Sequence, residues 1–121
     1  MSDFGFSKKL RLLGAADFQP VFKNADLKVS CQHLLLLARD SGSHFPRLGL
    51  VIAKKNVAKA VHRNRVKRCL RESFRRNQGL LPTVDIVILA RSGLGALSNE
   101  QINQKIEKLW VDLARKAENR S

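Results

Sequence analysis

The stretch KKNVAKAVHRNRVKRCLRESFRR occupies residues 54–76 and holds ten of the chain's 23 Lys and Arg residues against a single acid, Glu72. At about 100° per residue, Val66, Cys69, Leu70, Ser73 and Phe74 fall on one side of a helix. Arg63, Asn64, Lys67, Arg68, Arg71 and Arg75 fall on the other. The first set suits burial on a sheet, and the second forms a cationic rod. Arg63, Lys67, Arg71 and Arg75 step by four, about 6 Å per step along the axis. Like charges at that spacing destabilise a helix by roughly 0.2–0.5 kcal/mol per pair. Too few acids are interleaved to relieve them, so a bound polyanion is the expected compensation. Glu72 is expected to pair with Arg68, Arg75 or Arg76. The helix is predicted over 57–76, with Asn56 as N-cap and Gly79 and Pro82 punctuating its exit.

Upstream, Asp17–Lys23 reads as a short helix with Phe18 and Phe22 on one face and Pro20 near its start, where a missing N–H is tolerated. Val29–Arg39 begins with alternation and becomes a continuous apolar run, the pattern of a buried strand. Ser41-Gly42-Ser43 signals a turn, and Arg47–Ala53 reads as a second strand, an expected hairpin partner of the first. Downstream, Asp85–Ala90 (DIVILA) is a third strand and residues 92–97 a loop. Ser98 with Gln101 carries a capping-box signature. Ile102, Ile106, Leu109, Trp110, Leu113 and Ala117 then recur at helical spacing, with Trp110 facing the core. The predicted order is helix, strand, strand, helix, strand, helix. This is one α+β domain over residues 1–121, a small mixed sheet packed with helices, with residues 1–14 as a basic N-terminal arm.

The charge bounds the function. A net +13 and a pI near 10.8 concentrate polyanions, and nucleic acid is the leading partner. No targeting segment is visible, because Lys8, Lys9 and Arg11 break the apolar start. The runs Leu34–Ala38 and Ile86–Ala90 are too short to span a bilayer. A cytoplasmic protein with no membrane partner is expected. The apolar face of the basic helix (Val, Cys, Leu, Ser, Phe) suits a sheet better than a membrane surface. Cys31 and Cys69 stand far apart, and His33, His44 and His62 are scattered. That pattern lacks zinc-site spacing, and the cysteines are expected to be reduced, small, buried or half-buried side chains. The acids are spread from Asp3 to Glu118, without the paired carboxylates that two-metal hydrolysis needs. Catalysis by the protein itself is not expected.

At the basic stretch the sequence resembles a known family. Ala53-Lys54-Lys55-Asn56-Val57, then Ala60-Val61-His62-Arg63-Asn64-Arg65-Val66-Lys67-Arg68 and Arg71-Glu72-Ser73-Phe74-Arg75, resembles the Arg-Asn-Arg signature of bacterial ribonuclease P proteins. Leu10-Arg11-Leu12-Leu13 and Asp17-Phe18 with Val21-Phe22 support the likeness upstream. Asp85–Arg91 and the Leu109-Trp110 helix support it downstream, so it covers nearly the whole chain. Ala60 stands where many members have glycine.

The resemblance implies an α-β-β-β-α-β-α-like fold of the ribosomal S5 domain 2 type, with a left-handed βαβ crossover where periodicity alone suggests the usual right-handed one. It implies a non-catalytic protein subunit of an endoribonuclease that matures the 5′ end of tRNA, the chemistry being carried by an RNA subunit. The implied partners are that catalytic RNA and precursor tRNA, with no protein partner. The protein itself is expected to hold no cofactor, Mg2+ entering through the RNA. The catalytic RNA is expected on Arg63, Asn64, Arg65, Lys67, Arg68, Arg71 and Arg75. The resemblance places a cleft for the single-stranded leader between the first helix and the sheet, with Phe18 and Phe22 as stacking surfaces and Lys54, Lys55 and Arg91 as a rim. Tyrosine is absent, so stacking rests on phenylalanine. The alternative reading is a ribosomal or other structured-RNA-binding protein, which composition alone does not separate.

Overall fold

In a computed structural model, residues 15–40 and 44–120 are described. The arm at 1–14 and the Ser41–Ser43 turn lie outside them. The elements are α1 (Ala15–Lys23), β1 (Leu27–Ser30), β2 (Leu34–Asp40), β3 (Arg47–Val51), α2 (Ala60–Arg76), β4 (Val84–Ala90) and α3 (Asn99–Arg120), with a short 3-10 turn at Leu94–Ala96 before α3. The sheet runs β1-β2-β4-β3. β1/β2 and β2/β4 are antiparallel, and β3/β4 is parallel. It is a four-stranded mixed sheet packed with three helices, an α+β fold.

β4 takes the interior because its sequence allows nothing else. VDIVILA is buried along nearly its whole length, as a strand covered on both faces must be. Ile86, Ile88 and Ala90 join Leu34, Leu36, Ala38 and Leu48 beneath Val66, Leu70 and Phe74 of α2 and Ile102, Ile106, Leu109, Trp110 and Leu113 of α3. Val87 and Leu89 point the other way, to Val21 and Phe18 of α1, with Leu37 and Val51. The period of two along each strand thus divides the protein: two helices on one face, one short helix on the other.

Several expectations are corrected. The single strand at Val29–Arg39 is two strands, folded back at Cys31-Gln32-His33, where the Cys31 N–H donates to the Leu34 carbonyl at 2.9 Å. The expected hairpin between the second run and Arg47–Ala53 does not form. β4 lies between them, since its apolar faces bury more there than at an edge. β3 then reaches β4 by the crossover through α2, which makes them parallel neighbours. α1 starts at Ala15, so Pro20 lies inside the helix. α2 starts at Ala60, with Lys59 at the N-cap and no side-chain cap. Asn56 does not cap it, because its amide donates to the Ala90 carbonyl at 2.9 Å. The Ser98/Gln101 capping box is present: the Ser98 N–H donates to Gln101 Oε1 at 2.9 Å and the Gln101 N–H to Ser98 Oγ at 3.1 Å.

One polar contact sits inside the core. Trp110 and Ser73 are fully buried, and Trp110 Nε1 donates to Ser73 Oγ at 2.9 Å, joining α3 to α2. A buried N–H stripped of its acceptor costs about 1–3 kcal/mol. Ser73→Ala should lower stability by that amount in urea unfolding. Trp110→Phe in the Ser73→Ala background should cost less than in wild type, and strictly additive losses would refute the coupling.

Candidate RNA interface

α2 presents its basic residues in three different ways. Asn64 and Arg68 are exposed, and Lys67 and Arg71 are half-buried along the same open side. Arg75 and Arg76 converge on Glu72: Arg75 Nη2 donates to Glu72 Oε1, and Arg76 Nη1 lies 4.0 Å from the same oxygen. Of the three partners expected for Glu72, the structure selects these two. The Arg75 hydrogen bond, then the charges of Arg75 and Arg76, hold the Glu72 carboxyl below its ordinary range.

Arg63 and Arg65 are placed differently from the sequence reading. Arg63 does not lie on the open side. Its guanidinium turns back along the helix, and Nη1 donates to the Val57 and Ala58 carbonyls at 3.1 and 2.8 Å. Arg65 reaches across to the α3 start, where Nη1 donates to Asn99 Oδ1 at 2.8 Å and Nη2 to the Gly95 carbonyl at 3.0 Å. A helical wheel gives the direction of Cβ and not where a long side chain ends, so it misses both. Cys69 lies half-buried near Arg65, Arg68 and Arg76. Burial pushes its thiol above the ordinary value, and the three positive charges oppose this. The thiol therefore stays protonated and inert at neutral pH.

The second group of expected residues meets at the other face and one end of the sheet. Phe18 is half-buried and Phe22 is 43% exposed. Their rings meet edge to face, with centroids 6.3 Å apart and planes at 70°. Phe18 therefore anchors α1 on the sheet, and Phe22 offers an open aromatic surface beside it. Lys54 and Lys55 are exposed in the turn after β3, and Arg91 is exposed immediately after β4. Because β3 and β4 are parallel, these cations share one end of the sheet. Arg91 is fixed there: its N–H donates to the His33 carbonyl at 2.9 Å and Nη1 to the Cys31 carbonyl at 3.1 Å. At the opposite end Asp85, buried in β4, receives Arg47 Nε and Nη2 at 2.8 and 2.7 Å.

Fold and charge define a basic α+β protein with a cationic helix on one sheet face and a half-open aromatic pair on the other. A sequence model of the family described as Ribonuclease P matches residues 6–114. The chain is 54% identical over 110 residues to the ribonuclease P protein component of Pseudomonas aeruginosa, covering 91% of this chain and 82% of that one. It is 50% identical over 118 residues to that of Pseudoalteromonas atlantica, covering 98% of each. The solved ribonuclease P protein from Thermotoga maritima superposes with a TM-score of 0.74 at 34% identity, over 87% of this chain and 96% of that one. The chain belongs to the ribonuclease P protein family. Membership gives it the role of protein component in a tRNA-processing ribonucleoprotein.

The Glu72 environment makes a pH prediction. A carboxyl held below its unfolded value contributes stability that is present above the unfolded value and lost as pH falls through the folded one. The contribution is small, because the group is in solvent. By NMR titration, the Glu72 carboxyl midpoint should rise toward the ordinary glutamate value in Arg75→Ala. An unchanged midpoint would show that the ion pair does not exist in solution.

Proposed function

We propose that this chain binds the catalytic RNA of ribonuclease P through the open side of α2 and takes the single-stranded 5′ leader of precursor tRNA into the groove between α1 and the sheet. Asn64, Lys67, Arg68, Arg71 and Arg75 supply the RNA-facing side. Arginine suits this because its planar fork matches phosphate oxygens, and Asn64 offers an amide to a base or ribose edge. The chemistry is carried by the RNA subunit, with Mg2+ held there, and the protein contributes binding in the cytoplasm. In support, the buried carboxylate Asp85 is committed to Arg47 and the exposed Glu72 to Arg75, so both serve the fold.

The observation that carries the leader assignment is the meeting of Phe22 with Lys54, Lys55 and Arg91 around one sheet face and end. Aromatic surface flanked by cations is what a single strand needs: bases stack on the ring, and phosphates meet the rim. Such contacts are tolerant of sequence, which suits a subunit that meets many different leaders. They also place leader and catalytic RNA on opposite faces of the sheet, joined at the end where α2 begins.

Phe22→Ala should weaken precursor tRNA binding to the reconstituted ribonucleoprotein by about 1–3 kcal/mol, the worth of one stacked base. Binding of mature tRNA, which has no leader, should hardly change. Because Phe22 is exposed, the free protein should melt near the wild-type temperature. A precursor-to-mature affinity ratio equal to wild type would sink the leader assignment.

A further inference from the structure

We infer that Arg63 is a positioning residue for the leader rim, and that Arg65 supports it from the far side of the same joint, so that the two arginines of the Arg63-Asn64-Arg65 run do not serve primarily as phosphate contacts. This rests on the leader reading of Lys54 and Lys55 above.

The turn that carries Lys54 and Lys55 is held from three directions. Its own backbone closes it, the Asn56 and Val57 N–H groups both donating to the Ala53 carbonyl at 3.0 Å. The Asn56 amide ties it to the last residue of β4. Arg63 takes its trailing end, with one nitrogen donating to two consecutive carbonyls at 3.1 and 2.8 Å. The next residues, Lys59 and Ala60, begin the helix that carries Arg63, so the guanidinium closes a short loop between the turn and its own first coil.

Arg65 completes the joint. Val57 is buried, and a Cβ built on Gly95 would stand 2.9 Å from Val57 Cγ1. Turn and 3-10 segment therefore touch with no room for a side chain at 95. Arg65 Nη2 donates to the carbonyl of that same glycine, and Nη1 to Asn99 at the α3 start. Arg63 and Arg65 thus grip the Val57–Gly95 contact from its two sides. Asn64 between them is exposed. Donors engaged with carbonyls are not open for a phosphate, whereas Arg68, one turn along, is exposed. Charge alone marks Arg63, Arg65 and Arg68 as equivalent, and the hydrogen bonds separate them.

Two readouts distinguish the roles. The first is the salt dependence of protein assembly with the catalytic RNA, which falls by roughly 0.7–0.9 in slope per lost phosphate contact. The second is the precursor-to-mature tRNA affinity ratio of the assembled particle. Arg68→Ala should flatten the slope and keep the ratio. Arg63→Ala should keep the slope and lower the ratio several-fold, toward that of the Lys54→Ala/Lys55→Ala double variant. Asn56→Ala removes the neutral tie on the same turn and should do likewise; it carries the test if Arg63→Ala proves too unstable to assemble. A flattened slope in Arg63→Ala, or a wild-type ratio in Asn56→Ala while the double-lysine variant lowers it, overturns the inference. A wild-type ratio in the double-lysine variant instead overturns the leader reading on which it rests.

Discussion

Burial of β4 on both faces is the constraint to which the other elements answer. A strand of this composition is stable only between two layers. α2 and α3 form one layer and α1 with its aromatic pair forms part of the other. Because side chains alternate along the strand, residues 86, 88 and 90 commit to the large core and 87 and 89 to the small one. The asymmetry is useful. The large core carries the stability and leaves the outer side of α2 free to be cationic. The small core is too thin to close over Phe22, which stays half open.

Charge is managed by position more than by pairing. The described ion pairs are few. The Arg47–Asp85 pair lies within the sheet, away from the α2 face, and Glu72 neutralises part of the far end of α2. The remaining repulsion along α2 is offset partly by its apolar face and partly by the carbonyls that accept from Arg63 and Arg65. A guanidinium on a backbone carbonyl keeps its charge, so both arginines still add to the field that draws RNA in even where they do not touch it.

Legibility from sequence follows the range of the interactions. The basic face of α2, the amphipathic α3, its capping box and the apolar β4 were readable, because each is a local pattern of period 3.6 or 2 or a motif of fixed spacing. The β1–β2 reversal was not, since Cys31-Gln32-His33 has no glycine, proline or asparagine to mark it. Strand partnership was not readable either. Proximity in sequence favoured a β2–β3 hairpin, and the decision lay with an apolar strand more than thirty residues further on. Asn56 looked like a helix cap because its amide is free to bond locally, but Ala90 competes for it across the sheet. The site residues Phe18, Phe22, Lys54, Lys55 and Arg91 are brought near one face and end of the sheet, though it took the parallel β3–β4 register to put the last three together. Arg63 and Arg65 escaped the reading because their partners are backbone atoms, which no sequence pattern announces.

The strand order also sets a timetable for the growing polypeptide. β2 and β3 are synthesised in succession but never pair; the seat between them belongs to β4, which follows all of α2. Until residues 84–90 leave the ribosome, β3 has no strand neighbour, and the leucine-rich β2 is paired only with β1. The most cationic segment is therefore in the open before the sheet that anchors it is complete. Such late, non-local closure is slow compared with hairpin formation. During that interval the apolar faces of β2 and β3 are exposed beside a helix that attracts any RNA at hand, the ribosome's own included.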